Sequence, residues 1–317
     1  TATSSKAKVR GLGTKDLSVG KNTLPIRVIA EDGSEKIYNV NVTRKQAVQN
    51  VSIFGKQFEV IDAEPTLTTS SNNTTDASGL YASTDTNTGN PTYYFRGNVE
   101  NNYVSFAGQT WRIVRINEDG TVRLIMQDGI NNNGYIVFNS NYSDYSDMYY
   151  TNSEAKTTLE SWYQTNIGSN ENLAKNVANG NYYCEQAKVK QSDSWTSGSA
   201  VMTYYENYTP NFKCETDGNG KGQVSASVGL LTYDEVVYAG CYYGQSNRDY
   251  YLYTNKYFWT MSPTGIVSGT SNVWRIGTAG NIYNSPVKDP NALRAVLNLT
   301  VDTQVIGHGT SQDPYQL

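Results

Sequence analysis

The chain has 317 residues, of which 17% are charged, a formal net charge of −4, and 26 tyrosines against 7 phenylalanines. That length accommodates two ordinary domains and at least one sizeable core. The acidic balance excludes nucleic acid as a partner, because polyanion binding needs a basic footprint, and without a run of about 18 apolar residues this fragment has no helical membrane insertion. Abundant Tyr, Asn, Thr, Ser and Gly with few charges resembles the composition of extracellular, paratope-like surfaces, where tyrosine gives contact area at low entropic cost.

The first segment reads as a β-hairpin. Leu24, Ile26 and Val28 alternate, Glu31 to Ser34 supply a turn, and Tyr38, Val40 and Val42 alternate again, so one face is apolar. A lone hairpin is marginal in water and calls for further strands. Leu17, Gly20, Asn22, Ala30, Glu31, Asp32, Gly33, Ser34, Lys36, Tyr38, Val42 and Arg44 resemble the closing strands of a bacterial cadherin-like β-sandwich. The resemblance implies that residues 1–45 are the C-terminal half of an immunoglobulin-like sandwich, beginning inside a domain. Residues 46–78 read as one strand, Val51 to Ile61, followed by a Ser/Thr/Asn-rich linker from Glu64 to Ser78.

From Gly79 to Leu317 a larger domain is expected. Strands are predicted at Tyr93 to Val99, Tyr103 to Phe106, Thr110 to Asn117 and Val122 to Gln127, with short turns that make the meander antiparallel. Leu159, Trp162, Tyr163 and Ile167 recur at helical spacing and Gly168 supplies a stop. A second helix follows Thr232, which stands in capping-box relation to Glu235 and precedes a stop at Gly240. A short third helix is placed within Asn170 to Asn179. "KYFWTMS" reads as a core strand ended by Pro263, "SNVWRI" and "NIYNS" as a hairpin joined by "GTAG", and Leu293, Ala295, Leu297 and Leu299 as a closing strand. Strands with two main helices make an α+β domain.

The segments Gly79–Tyr81, Tyr93–Ile125, Leu159–Asn166, Val228–Gly240, Tyr250–Pro263 and Arg294–Tyr315 together resemble Gram-positive bacterial surface modules with a C-type-lectin-like fold. These modules share the architecture of formylglycine-generating enzymes. The resemblance implies an extracellular module at the bacterial cell surface or a pilus tip, with a loop-built binding face. The paired active-site thiols of the formylglycine-type oxidases and the calcium-binding motifs of sugar-binding C-type lectins have no counterpart in this sequence.

Chemistry-bearing residues are sparse. The three cysteines form no CxxC and there is one histidine, His308, so no zinc site of ordinary ligand count, no metal, no cofactor and no catalytic residue is assigned. Cys184 and Cys214 bracket a polar stretch that a disulfide would staple by about 3 kcal/mol, leaving Cys241. "DGINNN" (Asp128 to Asn133) and "ETDGNGKG" (Glu215 to Gly222) lack the bidentate acid of a calcium loop and read as turns. The aromatic and amide residues Tyr242, Tyr243, Tyr250, Tyr251, Asn272, Trp274, Asn281 and Tyr283 are the candidate ligand contacts. The expected function is therefore non-enzymatic adhesion to a host or bacterial surface glycan or protein. The alternative is a structural subunit of a filament, pilus or stalk whose same face meets copies of itself.

Overall fold

The computed structural model describes residues 6–18, 20–44, 49–67, 76–180, 182–185, 209–214 and 222–317. Its chain divides into two compact units, Thr1–Gln49 and Asn50–Leu317.

The first unit is a three-stranded antiparallel sheet of β1 (Lys8–Arg10), β2 (Gly20–Ile29) and β3 (Glu35–Arg44). The expected hairpin pairs Leu24 with Val40 and Ile26 with Tyr38. It gains β1 as a third strand, but among the described residues of the unit no second sheet covers it, and Ile37, Tyr38 and Val40 stay exposed.

In the second unit a nine-stranded sheet contains β4 (Gln49–Ile53), β5 (Lys56–Val60), β6 (Gly79–Ser83), β7 (Thr92–Arg96), β8 (Tyr103–Phe106), β9 (Gln109–Ile116) and β10 (Val122–Met126). A five-stranded sheet, in the order β11-β17-β14-β15-β16, takes β11 (Tyr135–Val137), β14 (Phe258–Val267), β15 (Thr270–Ile276), β16 (Ile282–Pro286) and β17 (Pro290–Ala292). Between them in sequence, β12 (Tyr182–Cys184) and β13 (Gln223–Ser225) form a two-stranded ribbon, while β18 (Val296–Leu299) and β19 (Tyr315–Gln316) join the large sheet. Trp111 of β9 and Trp259 and Trp274 of the smaller sheet lie in one continuous core.

The expectation of an α+β domain with two main helices is overturned. The fold is mostly β, with 38% strand and 14% helix, and its four helices are short. The helix Glu154–Tyr163 is ten residues long and buries only Ala155 and Leu159. Tyr233–Tyr238 is a six-residue element, fully buried, started by the Thr232/Glu235 capping box and stopped near Gly240, whose φ is +117°. Caps thus sit where the sequence places them, but they enclose too few turns to make a helical layer.

Two further expectations change. Residues 46–78 are more than a strand and linker, since β4 and β5 extend the large sheet and Asp76 pairs with buried Arg96 at 2.8 Å; positions 68–75 of that linker lie outside the described residues. Pro263 does not end its strand. It sits inside β14 with register shifts on both sides, the bulged setting in which a strand tolerates a missing N–H. The turn expected at Glu215 to Gly222 lies outside the described residues except for Gly222.

Candidate binding face

Of the eight sequence-assigned contacts, five are buried. Tyr242 accepts a hydrogen bond from Arg96 Nη2 at 2.8 Å. Burial drives the Tyr250 hydroxyl well above its ordinary pKa, and Tyr251 packs its ring 5.3 Å from the Arg112 guanidinium. Trp274 lies between Tyr233 and Tyr243, with ring centroids 5.0 and 5.6 Å away. Asn272 is closed off by a 2.5 Å bond from its Nδ2 to Thr270 O. These five side chains fill the interior, so they offer no ligand contact in this conformation. Tyr243, Asn281 and Tyr283 remain partly exposed.

Register explains the division. On β15 successive side chains point to opposite faces; Trp274 and Ile276 turn to the core while Arg275 turns away between them. Arg275 stands directly opposite Tyr283 of β16. The Tyr283 ring lies 4.7 Å from the guanidinium and the Tyr257 ring, just ahead of β14, lies 4.4 Å from it. Such cation–π contacts are worth about 0.5–2 kcal/mol depending on desolvation. Arg275 Nη1 donates to buried Asn291 Oδ1 at 2.8 Å, which fixes the fork, while its Nε has no hydrogen-bond partner among the described residues.

The surroundings hold this cluster in place. The β15–β16 turn closes through Gly277 N to Asn281 O at 2.8 Å, and Tyr253 donates its hydroxyl to Thr278 O at 3.3 Å. Gly280 adopts φ +76°, and a Cβ there would come within 1.6 Å of Asn247 O, so only glycine fits. Asn247 is itself buried and donates to Gly240 O at 2.6 Å, pinning the loop that carries Gly244 to Asp249. Hydrogen bonds with Thr278 and Tyr283 bring the Tyr257 hydroxyl below its ordinary pKa; burial raises that of Tyr283, with Arg275 opposing.

The face therefore consists of Tyr253, Tyr257, Arg275, Asn281 and Tyr283, all partly exposed. It retains two sequence-assigned residues, Asn281 and Tyr283, and adds Tyr253, Tyr257 and Arg275, which sequence reasoning missed. The sequence signal was incomplete: with "GTAG" as a four-residue turn, "SNVWRI" against "NIYNS" sets Arg275 opposite Ile282, and it is the three-residue loop closed by Gly277 N to Asn281 O that shifts the register and brings Tyr283 opposite Arg275.

Elsewhere, Cys184 and Cys214 form a disulfide and Cys241 is a buried free thiol. His308 is exposed and hydrogen-bonds Asp313. Among the described residues no group of three His, Cys, Asp or Glu side chains is placed to hold a metal ion, and no helix is long and apolar enough to cross a membrane. Compared with family models, curated proteins and solved structures, the chain matches none.

Proposed function

We propose that this chain is a non-catalytic binding module of a bacterial cell-surface protein, contacting a glycan or a protein through the Tyr257–Arg275–Tyr283 face. The observation that carries the reading is the Arg275 guanidinium beside two partly exposed tyrosine rings, 4.4 Å from Tyr257 and 4.7 Å from Tyr283. Tyr and Arg are the residues that concentrate binding energy at interfaces, because they combine large contact area with few flexible bonds and directional donors. The Arg275 fork is bonded to buried Asn291 before any ligand arrives, which lowers the ordering cost of association. The Cys184–Cys214 disulfide supports an extracellular setting, since such bonds persist in oxidising compartments.

The test is binding to arrayed surface glycans and extracellular-matrix proteins by wild type, Arg275→Ala and Tyr283→Ala, with thermal melts to establish that each variant is folded. A ligand retained by wild type and weakened tenfold or more by both substitutions supports the reading. Wild type that retains nothing on either array, or retention indifferent to both substitutions, sinks it.

A further inference from the structure

A second concavity lies apart from this face, where β9 begins at Gln109 and β10 ends at Met126. It is a cleft of about 400 Å³ whose walls include Gln109, Asp128, Asn131, Asn132, Trp162 and Asn166, a size within the roughly 300–1,000 Å³ range of small-ligand sites. Two uncommon backbone conformations meet there. Asn131, Asn132 and Asn133 all have positive φ, at 52°, 56° and 61°. Runs of left-handed L-residues are disfavoured, and asparagine is the non-glycine residue that best endures the conformation. The opposite wall is the end of the helix Glu154–Tyr163, which widens into a π-helical turn over Gln164–Gly168, a rare feature that recurs at functional sites.

The left-handed turn is held from within. Asn133 Oδ1 accepts the Gly129 amide at 2.6 Å, the Gly134 amide bonds Asn131 O at 3.0 Å, and buried Ile130 donates its amide to Leu293 O at 2.8 Å. Asn133 thus serves as the internal staple, while Asn131 and Asn132 are exposed and their side-chain amides bond no described residue. The partly exposed Gln109 side chain likewise bonds no described residue. Strain at a turn whose outer amides are unused is the kind of backbone outlier that points to a binding role.

The chemistry of the walls selects a ligand class. Side-chain amides carry both donors and acceptors, so Gln109, Asn131 and Asn132 match vicinal hydroxyls, which also give and take hydrogen bonds, while Asn166, whose Nδ2 donates to Trp162 O at 2.7 Å, offers its Oδ1 as an acceptor. Trp162 is partly exposed and braced by buried Trp111, ring centroids 6.2 Å apart, which presents a fixed apolar plane. The lining includes one carboxylate, Asp128, and no lysine or arginine, which disfavours anionic ligands. We infer that this cleft binds a neutral saccharide, one sugar ring stacked on Trp162 and its hydroxyls met by the amides of the Asn131–Asn132 turn.

The experiment titrates the full chain with maltose, cellobiose, lactose, mannobiose and N,N′-diacetylchitobiose, and with 3′-sialyllactose as the anionic comparator. It follows tryptophan fluorescence and calorimetric heat. At least one neutral disaccharide is expected to bind and to perturb the fluorescence, with the affinity reduced tenfold or more in Trp162→Ala and threefold or more in Asn132→Ala. Asn132 is exposed, so its truncation leaves the core intact; because alanine endures its φ of 56° less well than asparagine, Asn132→Gly, which accepts that φ, is measured beside it and is expected to weaken the saccharide equally, which keeps the test decisive if Trp162→Ala unfolds. Asn131→Gly is expected to raise the melting temperature while weakening the same saccharide, the signature of a turn strained for binding. No neutral disaccharide bound at 10 mM, binding unchanged in Asn132→Ala, or equal binding of 3′-sialyllactose and the neutral sugars would overturn the inference.

Discussion

Glu235 is the residue whose removal best tests how the second unit is held together. Its Oε1 receives Arg115 Nε at 3.0 Å and Arg123 Nη1 at 2.5 Å, and its Oε2 receives the Thr232 amide at 3.0 Å. All three charged side chains are buried. Burial by itself raises the carboxyl pKa, but the two guanidinium groups outweigh it and bring the value down from 4.5 to about 2. At about 1.4 kcal/mol per pH unit, that fall makes the ionised carboxylate worth about 3 kcal/mol to the folded state. Because the folded value lies below the unfolded one, this stabilisation is complete above about pH 4.5 and is lost as the pH falls toward 2. Glu235→Gln keeps the shape and leaves Arg115 and Arg123 without their counter-charge, for an expected loss of about 3–5 kcal/mol at neutral pH. On a unit of this size the melting temperature should drop by about 10 °C. Urea denaturation of both proteins at pH 7, 5 and 3 is the assay: wild type should lose stability between pH 5 and 3, and the glutamine variant should lose less over the same interval. A variant with the wild-type midpoint at pH 7 and the wild-type acid sensitivity would refute the reasoning.

The remaining expectations are independent of that triad. Reducing the Cys184–Cys214 bond, which spans 30 residues, should lower stability by about 3–4 kcal/mol through chain entropy, read as a lower melting temperature in reductant. Cys241 is fully buried, and burial pushes its thiol up to about 12; Ellman's reagent at pH 8 should find no thiol in the native, unreduced protein and one after guanidinium unfolding. Trp274→Ala should destabilise by about 3–5 kcal/mol, the cost of a large core cavity, so a binding loss in that variant should be accompanied by a lowered melting temperature. Arg275→Ala on the exposed face should shift the melting temperature far less.

Much of the local structure was legible along the chain, and for a common reason. Signals such as the Thr232/Glu235 box, the Leu24–Val28 and Tyr38–Val42 alternations and the glycine turn between Trp274 and Tyr283 depend on neighbours within a few residues. The closing strand was harder. In Val296–Leu299 every position is buried, Asn298 included, because β18 lies inside the fold with both faces covered, and alternation then carries no information about burial.

The candidate site shows where local reasoning stops. Tyrosine has an apolar ring and a polar tip, so a tyrosine-rich stretch fits a wet face and a packed interior equally well. What sent Tyr242 and Tyr251 inward is two arginines from distant strands. Arg96 reaches Tyr242 across 146 positions and also binds the carbonyls of Val237 and Tyr238, while Arg112 stacks near Tyr251. Arg96, Arg112, Arg115, Arg123 and Arg294 are all buried, although composition counts each as a surface charge. The sequence by itself determined the strands, caps and turns, since these follow from short-range periodicity and backbone preference. The tertiary structure alone decided which aromatics are wet, because burial depends on what packs against each ring, and for Tyr242 and Tyr251 the packing groups, Arg96 and Arg112, lie more than a hundred residues away.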